Sequence, residues 1–153
     1  MIVGMQIRQG SKSDEGWLYQ LYCATMRVHI EKTWGWDEQF QRNGFIKHLS
    51  PEKFKIVVVK GNDAGAYLVT EEEDHFWLEM LLISPTNQNQ GIGIRIINRL
   101  KNESRKSHKP LKLSVIKVNP AKQFYLRLGF EVYEQDDAFY KMEWVYSKAI
   151  ESS

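Results

Sequence analysis

Ser84-Pro85-Thr86-Asn87-Gln88-Asn89-Gln90-Gly91-Ile92-Gly93 is a polar run with two glycines, set between two apolar segments of different period. Before it, Phe76 to Ile83 is apolar except for Glu79, as a strand buried on both faces is. After it, Ile92, Ile96, Ile97 and Leu100 recur at helical spacing, so a helix starts at Gly91. The next apolar run, Leu111 to Val118, reads as another strand. Phe76 to Val118 is then a strand–helix–strand unit, whose strands are parallel with a right-handed crossover. A helix N-terminus presents unpaired N–H groups and the positive end of the dipole, which suits a phosphate. Glycines at 91 and 93 remove side chains that would hold a pyrophosphate away from the backbone.

Outward from this unit the periods alternate. Met5 to Arg8 alternates apolar and polar residues like a short strand. Ser11 to Asp14 supply helix-start residues, and Trp17, Leu18, Leu21, Tyr22, Thr25 and Met26 give the helix an apolar stripe. A second helix is predicted over 37–49, weakened near Gly44. Lys55 to Lys60 is a β-branched strand, 61–64 a turn, and Ala66 to Glu71 the returning strand. Pro120 to Leu128 reads as a helix capped by Gly129, and 130–135 with 138–145 as a closing hairpin around Asp136-Asp137. The order is β-α-α-β-β-β-α-β-α-β-β. One parallel pair flanked by hairpins makes a mixed α/β sheet. No repeat or Pro/Gly/Ser-rich linker interrupts the chain, so a single domain over 1–153 is expected.

Composition narrows the class. The 153 residues are 42% hydrophobic and 26% charged, ordinary for one globular domain. No apolar run approaches the roughly 20 residues of a membrane span. Met1 to Met5 is too short for a signal peptide, and one cysteine, Cys23, excludes an internal disulfide and a Cys-cluster metal site. A cytoplasmic protein with no metal and no membrane partner is the expectation. A net charge of +2 gives no argument for a nucleic-acid partner. The basic stretch from Arg99 to Lys112 reads first as a helix C-terminus in solvent.

The phosphate ligand can be narrowed from the residues. A dinucleotide fingerprint needs glycine where Ile96 stands, and a P-loop needs Gly-Lys followed by Ser or Thr, which is absent. On the residues alone, a helix that simply begins at glycines is an equal reading. Gln88-x-x-Gly91-x-Gly93 after Leu81-Leu82-Ile83-x-Pro85 resembles the acetyl-CoA motif of the GNAT superfamily. Asn119-Pro120-Ala121-Lys122-Gln123-Phe124-Tyr125-Leu126-Arg127-Leu128-Gly129-Phe130 resembles that family's second conserved segment, with Ala121 one place early.

The resemblance implies a GNAT-like fold: a mixed, mostly antiparallel sheet, a central parallel strand pair splayed at its C-terminal halves, and helices on both faces. It implies acetyl-CoA as cosubstrate, with the backbone of Gln88, Asn89, Gln90, Gly91, Ile92, Gly93 and Ile94 on the pyrophosphate. Leu82 and Ile83 would pair with the pantetheine arm, one N–H facing the thioester oxygen, and Asn119 would touch the same arm. Asn119 is equally suited to cap a helix. Tyr125 would protonate the leaving thiolate, against a reading as a core aromatic. Glu79 would take the amine proton, against a reading as a rim carboxylate paired with Lys or Arg.

The resemblance also implies that the first two helices wall the acceptor, which singles out His29, Trp34 and Trp36. The tryptophans fit either a hydrophobic plug or a stacking surface for an amine, with Glu31, Asp37 and Glu38 to receive its charge. The expected activity is N-acetyl transfer to a primary amine on a small molecule. A protein or peptide acceptor, and a non-catalytic acyl-CoA-binding domain, are the alternatives. The exposed edges of the closing hairpin would suit a homodimer.

Overall fold

Seven strands and four helices follow one another in the computed structural model, which describes residues 4–146. They are β1 (Met5–Gln9), α1 (Glu15–Trp34), α2 (Glu38–His48), β2 (Lys55–Val59), β3 (Asn62–Glu71), β4 (Phe76–Ile83), α3 (Ile92–Ser107), β5 (Leu111–Ile116), α4 (Ala121–Arg127), β6 (Glu131–Gln135) and β7 (Phe139–Trp144). The strands form one sheet in the order β1-β2-β3-β4-β5-β7-β6. The order of elements is the one predicted, and the fold is the expected mixed α/β sheet with one parallel pair, β4 and β5. Met1 to Val3, read above as part of a non-signal start, lie outside the described residues.

Three boundaries differ for identifiable reasons. The β2–β3 turn is Lys60-Gly61, both left-handed (φ 53° and 78°), so Asn62 to Ala64 belong to the strand. Two residues of positive φ match the right-handed twist of a hairpin better than the longer turn predicted. Helix α2 runs unbroken through Gly44, since one glycine costs only about 1 kcal/mol in a helix. Strand β5 ends at Ile116, because Asn119 N–H turns back to the Ile116 carbonyl at 2.8 Å.

The chain divides into two compact units: residues up to Leu68 with Met80–Ile92, and Val69–Glu79 with residues from Gly93 onward. In the first, β1 pairs antiparallel with β2, and β2 with β3. The β2–β3 register shifts between Val57 and Val58, leaving Ala64 as the extra residue of a bulge. Its carbonyl accepts the Ser84 N–H at 2.9 Å. The adjacent Gly65 has no room for a side chain, since a Cβ there would meet the Leu82 carbonyl oxygen at 2.7 Å. Leu18, Phe45, Phe54, Ile56, Leu68 and Leu82 are buried in this unit. Arg8 joins Asp14 (2.8 Å) and Asp63 (3.0 Å), and the Arg8 hydrogen bonds hold the Asp14 carboxyl down at about 2.

In the second unit, β5 pairs antiparallel with β7 along six residues, from Leu111↔Trp144 to Ile116↔Phe139. Its parallel ladder with β4 has three pairs, ending at Leu78↔Leu113. Beyond Leu78 strand β4 runs on without this partner, which is the splay expected of the parallel pair. Buried Ile96, Ile97 and Leu100 of α3, Leu111 and Leu113 of β5, Phe130 and Met142 form the core. The basic stretch is more than a solvated helix end. Lys101 donates to the Leu128 carbonyl, Lys109 pairs with Glu71 at 2.8 Å, and Lys101 and Arg105 lie over the Trp144 ring. Among the described residues no helix is long and apolar enough to cross a membrane.

Candidate functional site

The loop leaving β4 is shaped by its backbone. A 3-10 turn at Pro85–Asn87 closes with Asn87 N–H on the Ser84 carbonyl. Asn89 (φ 63°) and Gly91 (φ 85°) are both left-handed, which swings the chain into α3 at Ile92. Only glycine holds such a φ without strain, and a Cβ on Gly91 would meet nothing within 4 Å. Gly91 is therefore required by conformation, with open space where its side chain would be. Gly93 has the opposite reason: a Cβ there would come within 3.1 Å of the Phe124 ring, so this glycine is where α4 packs on the start of α3. Two glycines read alike for one purpose thus answer two separate requirements of the fold.

The polar side chains of the loop serve it internally. Gln88 donates to the Ile83 carbonyl at 3.0 Å and Gln90 to the Thr86 carbonyl at 3.4 Å. Gln88 thus steadies the end of β4, a bond its spacing did not announce. Ile92 is fully buried, and Ile94 is half exposed.

In the second unit, Asn119 accepts the Ala121 N–H at 2.9 Å and so caps the turn into α4, as its structural reading required. Tyr125 is buried on α4 with its ring edge-on to Phe124 and Phe130 at 5.2 and 5.5 Å. Burial pushes its phenol above the ordinary tyrosine range, because a phenolate would lose its hydration there. The group therefore holds its proton across the physiological range. Glu79 is exposed on β4, and one of its oxygens accepts from the Thr70 hydroxyl at 3.4 Å. The burial cost that singled it out does not arise, and among the described residues its partner is Thr70, where the rim reading had a lysine or arginine.

The α1–α2 corner is an aromatic cluster satisfied by its own residues. Tyr19 donates to Glu38 at 2.8 Å, and Trp36 Nε1 donates to the same oxygen at 3.2 Å. These bonds lower the Glu38 carboxyl below its ordinary value. Tyr22 donates to Gln41, and Arg27 lies 5.1 Å from the Trp36 ring centroid. Asp37 caps α2 through the Phe40 N–H, and Glu31 pairs with Arg27 at 3.8 Å. All three carboxylates expected to receive an amine are thus engaged within the corner. Trp36 is half-buried beside the Arg27 guanidinium, whereas Trp34 is 56% exposed. Among the described residues His29 Nδ1 is buried and finds no hydrogen-bond partner, and burial lowers the His29 pKa. Among the described residues no group of three or more His, Cys, Asp or Glu could hold a metal ion.

Comparison with known proteins places these features. The family model described as "Acetyltransferase (GNAT) domain" matches residues 31–146. No curated protein sequence matches the chain. Among solved structures, the PaiA N-acetyltransferase of Thermoplasma acidophilum, in complex with coenzyme A, superposes with a TM-score of 0.77 at 18% identity, covering 94% of this chain and 100% of that one. The ribosomal-protein-S18-alanine N-acetyltransferase of Escherichia coli gives 0.67 at 19% identity, covering 94% of each chain. Naa50 of Arabidopsis thaliana, bound to the bisubstrate analogue CoA-Ac-MVNAL, gives 0.63 at 15% identity over 94% of this chain and 100% of that one. At these identities the likeness is one of fold.

Proposed function

The chain belongs to the GNAT acetyltransferase family, and from that premise we propose that it moves the acetyl group of acetyl-CoA to the primary amine of a small molecule. The observation that carries the reading is the loop from Gln88 to Gly93. Its left-handed Gly91 opens onto free space just before the N-terminus of a 16-residue helix. That is a backbone arrangement for a pyrophosphate. One catalytic domain is the economical form of the proposal, since the family match draws on both compact units and β3 and β4 each run from one into the other.

Each residue then has a task. The backbone of Gln88, Asn89, Gln90, Gly91, Ile92, Gly93 and Ile94 holds the pyrophosphate. Leu82 and Ile83 hold the pantetheine arm with Asn119, and an N–H of the strand polarises the thioester carbonyl. As the amine attacks, the C–N bond forms and the C–S bond breaks. Tyr125 donates its proton to the departing thiolate, the buried phenol being neutral and protonated beforehand. Glu79 accepts the proton that the amine loses, directly or through water. Its exposure supports this, because the carboxylate is open to water and to an incoming amine.

A small acceptor is favoured by the α1–α2 corner. A peptide backbone needs uncommitted hydrogen-bonding groups, and Asp37, Glu38 and Gln41 are already engaged there, whereas a small amine can rest on the faces of Trp34 and Trp36 beside His29 without them. One observation favours a peptide acceptor instead: Trp34 and Phe40 are 56% and 73% exposed, the kind of surface that side chains of a partner cover. Thiol release measured with a panel of small amines and a panel of short peptides separates the two. Turnover confined to peptides would overturn the small-amine reading, and acetyl-CoA binding without any thiol release would leave an acyl-CoA-binding domain.

A further inference from the structure

Around the C-terminal end of β5, two lysines converge on one aromatic ring. Lys117 Nζ lies 5.1 Å and Lys122 Nζ 4.0 Å from the centroid of Tyr140. Both lysines are half-buried, and the backbone pins both: Lys117 N–H donates to the Ala138 carbonyl at 2.8 Å, and Lys122 N–H reaches the Asn119 carbonyl at 3.5 Å. A tyrosine face offsets only part of the cost of holding each ammonium partly out of water. Among the described residues neither ammonium is in an ion pair; the five lysine and arginine carboxylate bridges there involve Arg8 (twice), Arg27, Lys109 and Lys141. The acid that senses Lys117, Asp136, has an oxygen already accepting the Ala138 and Phe139 N–H groups of its hairpin.

Two partly buried cations on one ring, neither in an ion pair among the described residues, are a seat for an anion. We propose that Lys117 and Lys122, with Tyr140 as floor, form a subsite for an anionic group, a phosphate or carboxylate, of one of the two substrates. Asn119, assigned above to the pantetheine arm, lies between the two lysines in sequence. The first turn of α4 carries Lys122, and the same helix packs on the start of α3 through Phe124 and Gly93. The identity of the ligand rests on the acetyl-transfer reading; the existence of the subsite does not. Acetyl-CoA brings a 3′-phosphate in addition to the pyrophosphate assigned to the loop. An acceptor with a carboxylate or phosphate beside its amine would bring the other source.

The test has two arms, both on the full chain. In the first, inorganic phosphate is titrated while the ring resonances of Tyr140 are followed by NMR. The subsite predicts a saturable shift in the wild type, its loss in Lys117→Gln/Lys122→Gln, and its retention in Lys122→Arg. No shift in the wild type, or an undiminished shift in the double variant, overturns the proposal. In the second arm, calorimetry compares acetyl-CoA with its 3′-dephospho form. If the cosubstrate supplies the anion, the wild type prefers acetyl-CoA by about tenfold, the worth of one charged hydrogen bond, and the double variant loses that preference. An equal preference in both proteins, with the phosphate shift present, assigns the subsite to the acceptor. Failure of the wild type to bind either cosubstrate would sink the acetyl-transfer reading, while the phosphate arm would still decide the subsite.

Discussion

The segments that leave β4 and β5 do similar topological work by different means. Each follows a strand of the parallel pair and leads into a helix. The one after β4 bends through left-handed backbone at Asn89 and Gly91, and Gln88 and Gln90 bond to carbonyls nearby. The one after β5 has no glycine before its helix; it turns on the Asn119 side chain and a proline, then fills its space with Phe124, Tyr125 and Phe130. The first is a cradle made of main chain, the second a wall made of side chains. A main-chain cradle recognises a group every substrate shares, and a side-chain wall can carry a proton. Changes in the first should therefore alter affinity, and changes in the second should alter rate.

The largest expected effect tests the second half of that contrast. Tyr125→Phe keeps the ring packing and removes the proton, so kcat should fall by about 10²–10⁴-fold while acetyl-CoA affinity holds. An unchanged kcat would make Tyr125 a packing residue and erase the contrast. Next, Gly91→Glu places a carboxylate and a strained left-handed residue where the pyrophosphate would sit. Acetyl-CoA affinity should drop by at least about tenfold, the equivalent of 1.4 kcal/mol, with the circular dichroism spectrum retained. Undiminished binding would remove the cradle from the account.

Smaller changes sharpen the difference between the two glycines. Gly91→Ala should cost about 1–2 kcal/mol in chemical denaturation through backbone strain alone. Gly93→Ala should cost about 1 kcal/mol, the crowding against Phe124 being partly offset by better helix propensity. Phe124→Leu should relieve Gly93→Ala and leave Gly91→Ala unchanged; relief of both would mean that the two glycines share one cause. Asn119→Ala should remove the side-chain bond of the turn into α4, worth about 1 kcal/mol, seen as a lower denaturation midpoint.

Period and punctuation were enough for the order of the elements, because strands, helices and their caps are local in sequence. The parallel pair and the loop into α3 were legible for the same reason. What the residues concealed is tertiary. The contact of Gly93 with Phe124 joins positions 31 apart, and the sharing of Glu38 by Tyr19 and Trp36 needs two helices docked. Glu79 looked costly because its neighbours in sequence are apolar, yet strand alternation points it outward to Thr70. The convergence of Lys117 and Lys122 on Tyr140 left no trace in spacing, since the ring comes from β7, the last strand.

The central claim is that the Gln88–Gly93 loop holds the pyrophosphate of acetyl-CoA, and isothermal titration of the purified protein with acetyl-CoA tests it most directly, with NADH and ATP as controls. Saturable binding of acetyl-CoA, absent for NADH and ATP and lost in Gly91→Glu, is the predicted result. No heat with acetyl-CoA, or equal binding of all three ligands, would contradict the account and leave the loop as the start of a helix.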